Sequence, residues 1–111
     1  MKTENYLNQN PIVKNFIDKV NEEIKTYYET QLSSLKVPQL EVHIGNKFIK
    51  LILNGSVWGF ISRVDGFNKG TPISKGDLLK AADWRTPAKH SRGNIINGTA
   101  QYGVYGPSYL K

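Results

Sequence analysis

The chain has 111 residues, 39% of them hydrophobic, with ten glycines, five prolines, no cysteine and a formal net charge of +6. This composition predicts one domain with a single core, and it excludes a disulfide framework and any thiolate zinc site. A pI near 9.6 favours an anionic partner, whether nucleic acid, anionic lipid or an acidic protein, without choosing among them.

No apolar run has the length needed to cross a bilayer, since the longest, Phe48 to Leu53, is broken by Lys50. The opening residues Met1-Lys2-Thr3-Glu4-Asn5-Tyr6 lack the apolar stretch of a secretory signal. With no cysteine to suggest an oxidising compartment, the sequence predicts a soluble, cytoplasmic protein that does not engage membranes.

Asn10-Pro11 opens the first element. Asparagine is a favoured N-cap, and proline at the next position loses nothing by lacking an N–H there. Val13, Phe16, Ile17, Val20, Ile24, Tyr27, Tyr28, Leu32 and Leu35 then recur at steps of three and four. That spacing predicts a long amphipathic helix over 10–36, ended by Pro38.

Short alternating runs follow, and they predict an antiparallel meander over 40–64. Glu41-Val42-His43-Ile44 alternates, Gly45-Asn46 reads as a turn, and Lys47 to Leu53 is strand-like. Asn54-Gly55 is a strong hairpin signal, because both central residues of a type I′ turn need positive φ. It leads into a third strand from Ser56 to Val64. The apolar stripe of the helix needs a partner, so the helix is expected to cover one face of the sheet.

From 65 to 111 glycine and proline are denser and periodicity fades. Ser74 to Ala82 fits a short helix or a strand, and the tail from Tyr102 to Leu110 is expected to add an edge strand. The fold class predicted is α+β: one long N-terminal helix packed on a small antiparallel sheet, with an irregular basic C-terminal half.

That half is also where the charge lies. Residues 1–36 carry five basic and five acidic side chains, whereas 63–111 carry eight and three. Lys75, Lys80, Arg85, Lys89 and Arg92 are the cations expected to meet phosphate, with Trp84 stacking on an exposed base and Gly93 letting backbone amides approach. The alternative is that Trp84 closes the sheet as a core residue and the cations merely solvate a loop.

Other chemistry has less behind it. No GxxxxGK[ST] or GxGxxG string accompanies Gly66, Gly70 and Gly76. His43 and His90 stand far apart, no pair has ligand spacing, and Ser91 beside His90 is not a nucleophile–base arrangement. No cofactor and no metal are expected, and nothing in the sequence asks for catalysis. Tyr27, Tyr28, Tyr102, Tyr105 and Tyr109 suit either a protein interface or packing at the rim of the sheet.

Gly76-Asp77-Leu78-Leu79-Lys80-Ala81-Ala82, Trp84, Pro87-Ala88-Lys89-His90 and Arg92-Gly93-Asn94-Ile95, led into by Ser56-Val57-Trp58-Gly59-Phe60-Ile61, resemble a stretch of small uncharacterised proteins of tailed bacteriophages. The likeness covers roughly the C-terminal half of the chain. It implies a phage origin and a compact shared domain, and it carries over no catalytic residue. The function expected is that of a small phage accessory protein binding nucleic acid non-specifically through the basic, Trp84-containing surface. The alternative expected is a protein-interaction module, a virion component or an inhibitor of a host factor, homodimeric through the helix.

Overall fold

In the computed structural model, which describes residues 3–108, the alternating segments form the meander expected: β1 (Glu41–Ile44), β2 (Phe48–Leu53) and β3 (Ser56–Ser62), paired antiparallel. Asn54 and Gly55 turn the chain between β2 and β3 with φ of 52° and 78°, the positive pair that a type I′ turn requires. A fourth strand, β6 (Leu78–Leu79), pairs with β3 and completes the order β1-β2-β3-β6.

Register sorts the side chains onto two faces. Ile44, Ile49, Ile61 and Leu78 stand opposite one another along one row, and His43, Lys50, Phe60 and Leu79 along the next. Neighbouring rows point to opposite sides of a sheet. The first row joins the main core, whereas Phe60 and Leu79 form a second, smaller cluster with Ile73. Between Leu51 and Ile52 the register slips by one, leaving Trp58 without a partner on β2. Such a bulge re-aims a side chain. Trp58 here joins the main core, edge-on to Phe16 and Tyr102, with its indole N–H donating to the Val104 carbonyl oxygen at 3.1 Å.

The helix α2 (Pro11–Gln31) lays Phe16, Ile17, Val20 and Ile24 on Ile49, Leu51, Ile61 and Leu78. The chain is therefore α+β, a long helix over one face of a small antiparallel sheet. Three details depart from expectation. A further short helix, α1 (Thr3–Gln9), precedes Asn10 and buries Tyr6 in the main core. Asn10 occupies the N-cap position without a side-chain capping bond, and its amide donates instead to the Tyr6 carbonyl oxygen at 2.7 Å. The long helix also stops at Gln31 rather than 36. The chain must return to the sheet, and Leu40 is tied back to the helix by its N–H bond to Asn21 Oδ1 at 2.8 Å. Asn21 lies ten residues before the helix end, about 15 Å at the helical rise, so the segment after Gln31 runs back along the helix. Leu35 consequently leaves the stripe and is exposed.

The C-terminal half holds more regular structure than its composition suggests. β4 (Gly66–Asn68) and β5 (Thr71–Ile73) form a hairpin, and β7 (Tyr102–Gly103) and β8 (Gly106–Pro107) another. Within Ser74 to Ala82, which fits a short helix or a strand, only Leu78–Leu79 is strand and no helix forms. The tail is not an edge strand of the main sheet: β7 and β8 pair with each other, and β6 takes the edge. Tyr109 and Leu110 lie outside the described residues. Among the described residues no helix is long and apolar enough to cross a membrane.

Candidate nucleic-acid interface

Residues 80–88 form a narrow loop on the side of the sheet that α2 leaves uncovered. The Ala88 N–H donates to the Lys80 carbonyl oxygen at 2.7 Å, Ala81 bridges Pro87, and the Ala82 N–H donates to Thr86 at 2.9 Å. Asp83 sets the tip. Its Oδ1 accepts from the backbone N–H groups of Arg85 and Thr86 and from the Thr86 hydroxyl, at 2.9, 2.8 and 3.0 Å. These bonds, with the nearby Lys69 ammonium, hold the Asp83 carboxyl below its usual range. An aspartate bonding its own turn in this way fixes the loop independently of the core.

The loop presents Trp84, whose side of the expectation is thereby decided: it is 51% exposed and is not a core residue. One face of the indole is covered by Lys50 from β2, with the ammonium 4.3 Å from the ring centroid, and the same ammonium donates to the Trp84 carbonyl oxygen at 3.1 Å. This is a cation–π contact anchored at both ends. Beside it, Arg85 walls a groove of about 280 Å³ together with His43, Lys47, Phe48, Lys50 and Phe60. Lys47 also donates to the Phe67 carbonyl oxygen. His43, which also lines the groove, rests against the Glu41 carboxylate.

The six residues expected to form one surface are therefore divided. Trp84 and Arg85 stand together. Lys80 and Arg92 form a second pair, half-buried, donating to the carbonyl oxygens of Pro107 at 2.8 Å and Ser108 at 3.0 Å. Burial lowers the pKa of both, and the Arg92 charge adds to the effect on Lys80. Their geometry binds the tail to the domain. Lys75 is remote from Trp84, at a cleft lined by Tyr6, Pro11, Val13 and Ile96. Lys89 is exposed, one residue beyond the base of the loop. Gly93 has φ 92° and is packed against the Thr99 carbonyl, and its N–H already donates to Ser91 Oγ while its carbonyl accepts from the Leu78 N–H, so neither is offered to a ligand.

Lys47 and Lys50 join Trp84 and Arg85, and neither is among the cations expected from the sequence to meet phosphate. Their signal was present in Lys50, a lysine breaking an apolar strand at a position alternating with Ile49 and Leu51. Among the described residues the ion pairs are Lys14–Asp18 and His43–Glu41, so Lys47, Lys50 and Arg85 are in neither, while the Lys69 charge acts on the Asp83 carboxyl. Elsewhere, Tyr27 and Tyr105 share a hydrogen bond at the rim of the sheet, with Tyr105 75% exposed. No protein-family model, curated protein or solved structure matches the chain.

Proposed function

We propose that this is a small phage accessory protein, acting in the host cytoplasm, that binds single-stranded nucleic acid without sequence preference. The observation that carries the reading is Trp84, half-exposed on a loop fixed by Asp83, with Lys50 over one face of the indole and Arg85 beside it. An exposed indole offers any unpaired base a stacking partner, and stacking contributes about 1–3 kcal/mol per base. Cations not engaged by carboxylates are available to phosphate, and the counterions they displace make such binding steeply salt-dependent. Among the described residues the groove is lined by strand, turn and loop residues and by none from a helix, which favours contact with backbone and exposed bases over sequence readout. The resemblance of the 76–95 stretch to tailed-phage proteins supports the origin.

Fluorescence anisotropy with labelled single-stranded DNA, duplex DNA and RNA at two salt concentrations tests the reading. Expected are binding to the single strands, weakening steeply with salt, and loss of that binding in Trp84→Ala. Absence of binding at low salt refutes it.

A second reading, a protein-interaction module acting as virion component or host-factor inhibitor, draws on Tyr105. A tyrosine this exposed beside Tyr27 is the type of anchor that interfaces use. A homodimer through this surface would show a concentration-dependent mass that Tyr105→Ala abolishes.

A further inference from the structure

We infer that the groove beside Trp84 is a phosphate subsite, holding the sugar-phosphate unit next to the nucleotide whose base stacks on the indole. The inference rests on the nucleic-acid reading above and adds to it a position, a stoichiometry and a set of residues.

Three cations reach the groove from separate parts of the chain: Lys47 from the β1–β2 turn, Lys50 from the middle of β2, and Arg85 from the loop. The floor is apolar. Phe48 and Phe60 meet edge-on with centroids 6.1 Å apart, Phe60 is buried, and Phe48 keeps part of its ring open. Cationic walls above an aromatic floor match a sugar-phosphate, whose ribose or deoxyribose has an apolar face and whose phosphate carries the charge. At about 280 Å³ the groove falls just below the usual range for sites taking drug-sized ligands, which suits one such unit and not a duplex.

Lys50 links the two parts of the site, since it lines the groove and also lies over the Trp84 ring. A base on the open face of Trp84 and a phosphate against Lys50 are thus neighbours along one strand. Arg85 supplies the planar fork that suits phosphate oxygens.

The test uses a labelled oligothymidylate and its neutral methylphosphonate analogue. Each is titrated against the full chain, Trp84→Ala and the double variant Lys47→Gln/Arg85→Gln, after circular dichroism has verified that each variant is folded. The expected result is a loss of about tenfold or more in affinity for the double variant on the charged strand, with tryptophan quenching retained. Its salt slope should fall by about 0.7, the value for one phosphate contact on a single strand. The methylphosphonate strand should bind the full chain and the double variant equally, which isolates the phosphate from other effects of the substitutions. If the double variant keeps the wild-type affinity and slope while Trp84→Ala abolishes binding, the subsite is overturned and the nucleic-acid reading stands. If the full chain binds neither strand at low salt, both fall.

Discussion

Lys50 and Trp84, thirty-four positions apart, are joined twice: the ammonium covers the indole at 4.3 Å and bonds the tryptophan's own carbonyl oxygen at 3.1 Å. The first contact orients the ring and the second holds the loop against the sheet. Neither contact uses the charge up, because a lysine ammonium has three donors.

The two tryptophans should separate cleanly in a stability measurement. Trp58 is 4% exposed and packed on Phe16 and Tyr102, so Trp58→Ala should cost about 3–5 kcal/mol. Trp84→Ala removes an exposed ring and one cation–π contact and should cost about 0.5–1 kcal/mol. Urea unfolding of both variants checks the contrast, and equal losses would contradict the placement of Trp84.

Acid should loosen the Trp84 loop before it unfolds the core. The Asp83 carboxyl is held low by the bonds it accepts from Arg85 and Thr86 and by the nearby Lys69 charge. Its folded value therefore lies below the ordinary aspartate value of about 3.9. The stabilisation is complete above that ordinary value and is lost as pH falls through the folded value. Trp84 fluorescence should report the change at low pH. Asp83→Asn keeps an acceptor oxygen but has no proton to take up, so it should hold the loop without that pH dependence.

Alkali should act at the other side of the sheet. Burial, and then the bond to Glu23, raise the Tyr102 hydroxyl to about 12, above the ordinary tyrosine value of about 10. The stability this contributes is fully present below pH ~10 and is lost as pH rises through about 12. Absorbance titration of the tyrosinate, compared with Glu23→Gln, checks it. The substitution should move the late-titrating tyrosine toward the ordinary value.

Lys80 and Arg92 should behave as structural residues and Arg85 as a surface one. Each of the first two donates to a carbonyl oxygen of the tail, and losing one such bond costs about 1 kcal/mol. Lys80→Gln and Arg92→Gln should lower the urea midpoint, and Arg85→Gln should leave it within error. A triple change of all three is thus expected to destabilise the domain, which treating them as solvated cations would not predict.

Gly93 should tolerate no side chain. Its φ is 92°, and a Cβ there would overlap the Thr99 carbonyl. Gly93→Ala should destabilise by more than about 1–3 kcal/mol, the usual cost of a strained backbone alone, whereas Gly98→Ala, with open space around it, should cost less. Thermal melts of the pair decide.

Much of the fold is legible in the sequence because periodicity reports burial directly. The stripe from Val13 to Tyr28 and the Asn54-Gly55 turn each carry their structure in local spacing. The end of the helix does not, since Leu32 and Leu35 continue the pattern while the return of the chain to Asn21 is a long-range requirement. β6 is two residues long and exists through its pairing with Phe60 and Ile61, which no window of sequence contains. The site divides for the same reason. Trp84 and Arg85 are neighbours in the chain, but the lysine that serves them comes from a strand whose alternation reads as ordinary core. Lys80 and Arg92 look equivalent to Arg85 in composition and differ only in what the tail does with them.

The placement of α1 bears on how the protein behaves at high concentration. It packs beside β1, the outer strand of the sheet, with Tyr6 buried and the Thr3 hydroxyl 3.5 Å from the Val42 carbonyl oxygen. An open outer strand invites a second chain to pair with it and a third to follow. The first residue of α1 stands on that edge, so a second chain pairing with β1 at Val42 must first displace Thr3. Replacing Thr3 by alanine would remove that one bond and leave the edge easier to approach.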